Sequence, residues 1–175
     1  MILETARLKL KPYEIENLAD FHRLMSSPLV WTYSTHNPHD TVSQSEQKLA
    51  ELITKYTEDN IGFHALFEKE TDMFVGEAGI LSFNRTANRC VIGYNLLPDF
   101  WEKEHATEIT AALINYAFGE LKVERVEALA QKDNIASCKV LEKSGLQREG
   151  VLRHFSKIRD VYVDVCYYAM IASDR

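Results

Sequence analysis

The sequence predicts an α/β or α+β sandwich in which helices pack on a mixed sheet. Three observations carry that reading. Apolar residues recur at helical spacing in two segments before residue 58, and strand-like runs follow one another from residue 61. Helical and strand patterns then alternate to the end of the chain. The resulting order is strand, two helices, three strands, helix, strand, helix, two strands.

Each element has a local reason. Arg7-Leu8-Lys9-Leu10-Lys11 alternates polar and apolar and is stopped by Pro12, so it forms a short strand. Ile15, Leu18, Ala19, Phe21, His22 and Met25 share a helical face, and that helix ends near Ser26-Ser27-Pro28. Residues 31–40 are irregular, and a second helix runs from about Ser43 to Thr57. The runs 63–67, 74–81 and 90–96 read as strands separated by polar turns at 68–72 and 84–88, which makes an antiparallel meander. Ala106, Ile109, Leu113, Tyr116 and Ala117 mark one face of a long helix. Residues 125–130 form a strand and 134–144 a helix closed by Gly145. Strands over 147–155 and 161–171 finish the chain. The strand–helix–strand passage in the second half implies a parallel pair with a crossover, and ligands bind at the open ends of such strands.

Composition bounds the function. A chain of 175 residues with no Pro/Gly-rich linker reads as one domain, 1–175. Its 46% apolar and 26% charged content argues against a disordered or fibrous chain. The formal charge of −6 argues against broad nucleic-acid binding and is compatible with a cationic partner. Cys90, Cys138 and Cys166 are isolated and odd in number, with no CxxC pair, so a reducing cytosol is expected rather than a disulfide framework or zinc ribbon. The first eleven residues lack a signal-peptide core, and no apolar run approaches the ~18 residues of a membrane span. The expectation is a cytoplasmic protein that binds neither nucleic acid nor membrane.

Three segments carry a family resemblance. The first is Ile92-Gly93-Tyr94-Asn95-Leu96-Leu97-Pro98, followed by Phe100-Trp101 and Ala106-Thr107-Glu108. The second is Asn134-Ile135-Ala136-Ser137 with Val140-Leu141-Glu142-Lys143-Ser144-Gly145, the most specific because it is one ungapped block. The third is Glu149-Gly150-Val151-Leu152-Arg153 with Tyr162-Val163-Asp164-Val165 and Tyr168. Together they resemble the GNAT N-acetyltransferase superfamily, in its RimJ/RimL-like branch. The resemblance implies a mixed, mostly antiparallel sheet with helices on both faces and a splayed parallel pair in the middle.

It also implies an acetyl-CoA-dependent N-acetyltransferase that moves an acetyl group to a primary amine by direct attack, without a covalent enzyme intermediate. The acceptor would be a small-molecule or peptide amine, including a protein N-terminal α-amine. A homodimer through the C-terminal strands is left open by the sequence. Such a reaction needs a base for the acceptor, donors at the thioester oxygen and a proton for the departing thiolate. By resemblance, Asn95, Leu96 and Leu97 lie where the parallel strands part, and backbone N–H groups there hold the pantetheine arm and the acetyl oxygen. Asn134 and Ser137 match positions that bond the pantetheine or lie near the sulfur. They also have an ordinary reading, as a helix N-cap and a first-turn serine.

The match fails in one place. The family loop entering the long helix carries glycines in a Gln/Arg-x-x-Gly-x-Gly/Ala pattern, and its amides cradle the CoA pyrophosphate. Here the cofactor-binding candidates are Glu102, Lys103, Glu104, His105, Ala106 and Thr107, and no glycine occurs between Gly93 and Gly119. Glu104 stands where glycine is most wanted, and Glu102 replaces the extra glycine of this branch. The expected cost is left-handed backbone strain and a carboxylate close to an anion, with Lys103 offsetting one charge. Weakened CoA binding is expected; the alternative is a catalytically weak CoA-binding or regulatory module that retains the fold. Glu104, His105 and Glu108, with Asp99, also suit either metal ligation or an acidic first turn complementing the helix dipole. Without a second cluster at matching spacing, no metal is expected.

Glu77, between Gly76 and Ala78, is the candidate general base, its pKa raised by partial burial; an edge-facing glutamate with no partner is the alternative. His64 is the other candidate base. His36 and His39 could line an acceptor pocket, whereas nothing in the sequence promotes His22 or His154. Ser137 is the family-implied acid, with Tyr94 and Tyr168 as alternatives. Cys138 points about 100° away from Ser137 on a helix and reads as a buried small residue. Trp31, Tyr33 and Phe83 either flank the acceptor or pack.

Overall fold

The structure, a computed structural model, describes residues 1–56 and 61–175. Its strands are β1 (Leu3–Glu4), β2 (Leu8–Lys11), β3 (Gly62–Glu68), β4 (Phe74–Asn84), β5 (Arg89–Leu96), β6 (Arg125–Gln131), β7 (Gln147–Ile158) and β8 (Val161–Ile171). The α-helices are α1 (Leu18–Met25), α2 (Val42–Tyr56), α3 (His105–Gly119) and α4 (Ile135–Lys143). The expected end of the second helix at Thr57 lies outside the described residues.

The eight strands form one sheet in the order β1-β2-β3-β4-β5-β6-β8-β7. Every neighbouring pair is antiparallel except β5 and β6, which are parallel. Side chains at alternate strand positions place helices on both faces. Tyr94 on β5 reaches Ser137 of α4, whereas its neighbour Asn95 bonds Glu77 on the opposite face. Glu77 in turn meets Tyr13, whose ring packs edge-on against Phe21 of α1. The mixed sheet with a central parallel pair is the architecture the sequence predicts.

Several boundaries differ from the sequence reading, each for a physical reason. β1 has two residues, too few to show a periodicity. β4 runs on to Asn84 because a bulge between Ile80 and Ser82 resets its register with β5. β7 runs to Ile158 through an irregularity between Leu152 and Ser156, where His154 takes φ 53°. α1 is preceded by a single 3₁₀ turn over Ile15–Asn17. Gly145 ends α4 at φ 90°, the stop expected of it.

The feature that positions the site is the short parallel seam. β5 and β6 pair at only three positions, Arg89↔Arg125, Cys90↔Val126 and Val91↔Glu127. Beyond them β5 stays with β4 as far as Leu96, and β6 stays with β8 as far as Gln131. The strands therefore part. Gly76 lets β4 hold β5 closely: a Cβ on it would lie 2.2 Å from the Asn95 carbonyl oxygen. Charges brace the seam itself, with Glu127 accepting from Arg89 and, at 2.7 Å, from Arg125, which also grips Glu149.

Candidate active site

A cavity of about 350 Å³ opens where β5 and β6 diverge. Its walls include Ile92, Tyr94 and Asn95 of β5, Ala130 and Gln131 of β6, Thr110 of α3 and Ser137 of α4. Tyr33 and Ser34, from the segment between α1 and α2, and Phe155 of β7 close other sides. None of the described side chains that line it is charged.

Backbone direction along β5 corrects one expectation. The Leu97 N–H donates to the Val75 carbonyl at 2.9 Å, so it belongs to the β4 ladder and does not face the gap. Antiparallel ladders alternate, so the Tyr94 and Leu96 amides point the other way, toward the missing partner strand. The Leu96 carbonyl accepts from the Trp101 indole at 2.8 Å.

Glu77 lies on an interior strand and is 2% exposed, which removes the edge-facing alternative. The Asn95 amide donates to its Oε1 at 2.7 Å, and the Tyr13 hydroxyl donates to Oε2 at 3.2 Å. Burial raises the carboxyl pKa to about 7, against the two hydrogen bonds, which favour the charged form. Asn95 itself lines the cavity and so connects the carboxylate to it. His64 is different: it is buried, its Nε2 lies 3.1 Å from the Met1 amino group, and its Nδ1 lies 3.0 Å from the Gly62 carbonyl. Desolvation, then the Met1 charge, lower its pKa to about 4. It has no place on the cavity wall.

Across the gap, the Tyr94 hydroxyl donates to Ser137 Oγ at 3.3 Å. Burial pushes the Tyr94 phenol up to about 12. Asn134 caps α4 in the ordinary way, its side-chain oxygen accepting from the Ser137 amide at 3.1 Å, while also lining the cavity. Tyr168, an alternative acid, is fully buried and donates to Glu142 at 3.0 Å away from the cavity wall. Cys138 is buried, as expected.

The loop before α3 has the geometry that glycine would have eased. Glu102 and Glu104 adopt φ 59° and φ 62°, both in the left-handed region. The Glu104 carboxylate, however, turns to Lys143 of α4 at 2.7 Å and to the Thr107 hydroxyl at 3.0 Å. Those hydrogen bonds, Lys143 first, hold its pKa below the usual carboxylate range. Lys143, rather than Lys103, thus balances the charge, and Lys103 sits over the Phe100 ring instead. No side chain caps α3, so the amides of His105, Ala106 and Thr107 face outward from its first turn. The His105 ring itself is buried, with Nε2 3.5 Å from Glu68. Glu108 is taken by Thr5 and Arg7. The acidic run therefore does not converge, and among the described residues no group of three His, Cys, Asp or Glu is arranged to hold a metal.

The His36 ring lies tilted between those of Trp31 and His39, and His39 and His22 both bond the Ser45 hydroxyl at 2.8 Å; neither His36 nor His39 lines the cavity. Trp31 is a core residue whose indole donates to the Leu24 carbonyl, and Phe83 lies under Arg85. Of the three aromatic candidates only Tyr33 reaches the cavity. The sequence reading missed Tyr13 and Thr110. Thr110 had a signal, a hydroxyl in the apolar stripe of α3 between Ile109 and Leu113. Tyr13 had none, because its partner lies sixty-four residues away.

Comparison with known proteins shows the family of the chain. Residues 7–147 match the family model for the acetyltransferase (GNAT) domain. The chain is 30% identical over 169 residues to the uncharacterized N-acetyltransferase p20 of Bacillus licheniformis, covering 97% of this chain and 95% of that protein. A spermidine N-acetyltransferase from Vibrio cholerae, crystallised in complex with CoA and spermine, superposes with a TM-score of 0.84 at 19% identity, covering 97% and 98% of the two chains. A ribosomal-protein-S5-alanine acetyltransferase from Vibrio fischeri superposes with a TM-score of 0.86 at 16% identity, covering 99% and 98%. The chain belongs to the GNAT acetyltransferase family. It is an N-acetyltransferase.

Proposed function

We propose that the chain transfers an acetyl group from acetyl-CoA to a primary amine by direct attack of the bound amine. The observation that carries this reading is a gap between parallel strands with a buried Glu77 of raised pKa on one face and the Tyr94–Ser137 pair on the other. The residues present suit the co-substrate. The outward amides at 105–107 and the positive end of α3 favour a diphosphate, the neutral cleft suits an uncharged arm, and Glu104 is already balanced by Lys143. Acetyl-CoA supplies the activated acetyl group.

In this reading Glu77 removes the acceptor proton, directly or through a water held by Asn95, and its pKa near 7 matches that task. The Leu96 N–H donates to the acetyl oxygen. Ser137 delivers a proton to the thiolate and is resupplied through Tyr94, which already donates to it. The acceptor is a protein N-terminal α-amine or a small amine, in keeping with the ribosomal-protein and spermidine acetyltransferases of similar fold. Three buried, unpaired cysteines are in keeping with a cytoplasmic setting.

A second reading, a weakly catalytic CoA-binding module, draws on the two left-handed glutamates. Calorimetric titration with CoA, paired with a thiol-release screen of amine acceptors, separates the two. Binding tighter than about 100 μM (roughly −5.5 kcal/mol) with turnover supports the enzyme; binding without turnover on any amine supports the module.

A further inference from the structure

We infer that Thr110 is a ligand-binding residue inside the cleft, its hydroxyl hydrogen-bonding a secondary amide of the pantetheine arm; this rests on the acetyl-CoA reading above. Thr110 is 1% exposed, and its Oγ1 has no hydrogen-bond partner among the described residues. It lines the cavity. A threonine in a helix commonly back-bonds the carbonyl four residues earlier, and this one does not. A buried hydroxyl left unpaired is destabilising, and valine would fill the same space without that cost.

The surroundings define what the hydroxyl can serve. Beyond His105 in the first turn, the buried face of α3 otherwise presents Ile109, Leu113, Ile114, Ala117 and Phe118, all apolar. Three polar groups nearby on the wall are already engaged: Ser137 accepts from Tyr94, the Asn134 oxygen caps α4, and the Gln131 oxygen accepts from the Asp133 amide. Thr110 retains both its donor and its acceptor capacity. Five residues beyond His105, it lies roughly 7.5 Å along the helix from the first-turn amides. A ligand whose diphosphate rests on that turn and whose arm enters the gap passes this depth with its amide-bearing portion. The outward Tyr94 and Leu96 amides of β5 stand on another side of the same passage, so the arm would be read from both α3 and β5.

The experiment is calorimetric titration of wild type, Thr110→Val and Thr110→Ser with CoA and with ADP, which has the diphosphate and lacks the arm. Thr110→Val is expected to weaken CoA roughly tenfold while leaving ADP unchanged. Thr110→Ser should restore most of the loss, and thermal unfolding of unliganded Thr110→Val should occur at the same or a higher temperature than wild type. Unchanged CoA affinity in Thr110→Val, or equal losses for CoA and ADP, overturns the inference while wild-type binding keeps the acetyl-CoA reading standing. Folded wild type that binds neither ligand overturns that reading and this inference together.

Discussion

Glu77 takes hydrogen bonds from Asn95 and Tyr13 in a site almost closed to water, and its carboxyl titrates at about 7 rather than 4.5. Two consequences follow at this residue. If the ionised form is the working base, kcat/KM rises with pH through about 7; Glu77→Gln removes that rise and lowers kcat by about 10²–10⁴-fold, as a pH–rate profile with one amine would read. The second consequence concerns folding. A carboxyl that holds its proton more tightly when folded adds stability that is full below about 4.5 and is lost as pH climbs through about 7. Urea unfolding of Glu77→Gln should therefore vary less with pH across that window than wild type. Glu77 could be named from the sequence because few carboxylates stand among small residues in mid-strand. The direction of the Leu97 amide could not, since it depends on which residues of β4 and β5 face each other, and the sequence pattern does not encode that parity.

At the scale of the element, the acetyl-CoA reading makes the entry to α3 the place where the diphosphate is held. Two left-handed non-glycine residues precede the helix, and a carboxylate stands at its N-cap. Glu104→Gly relieves one strained position and frees Lys143. CoA affinity is expected to rise about threefold to tenfold at low ionic strength, with the gain shrinking near 1 M salt, where screening acts within about 3 Å. Calorimetry at the two salt concentrations checks this. The positive φ at Glu102 and Glu104 was legible, because a family loop that wants glycine marks where the backbone turns left-handed. The Lys143 contact was not, since α4 begins thirty-one residues after Glu104 and only the packing of α3 beside α4 brings them together.

Across the whole molecule, the succession of elements, the meander and the parallel crossover were legible because apolar period and turn residues agree over most of the chain. The part of the cavity wall that Tyr33 and Ser34 supply was less so, because residues 31–40 have no period to read and their contacts are set by tertiary packing. The described structure divides naturally at β5 and β6, and a ligand seated between them touches both sides. CoA at a hundredfold its dissociation constant should add about 2.7 kcal/mol of stability, raising Tm by about 5–10 °C in a chain of this size. A scan with increasing CoA measures it, and a flat response contradicts a ligand held between the two sides.

The three-residue seam has one more consequence. Because Arg89, Cys90 and Val91 are the described residues of β5 that meet counterparts on β6, the sheet is joined there like a book by a short spine, with the pages standing apart beyond it. Glu127 and its two arginines are the stitching of that spine, so the width of the opening is set at its closed end.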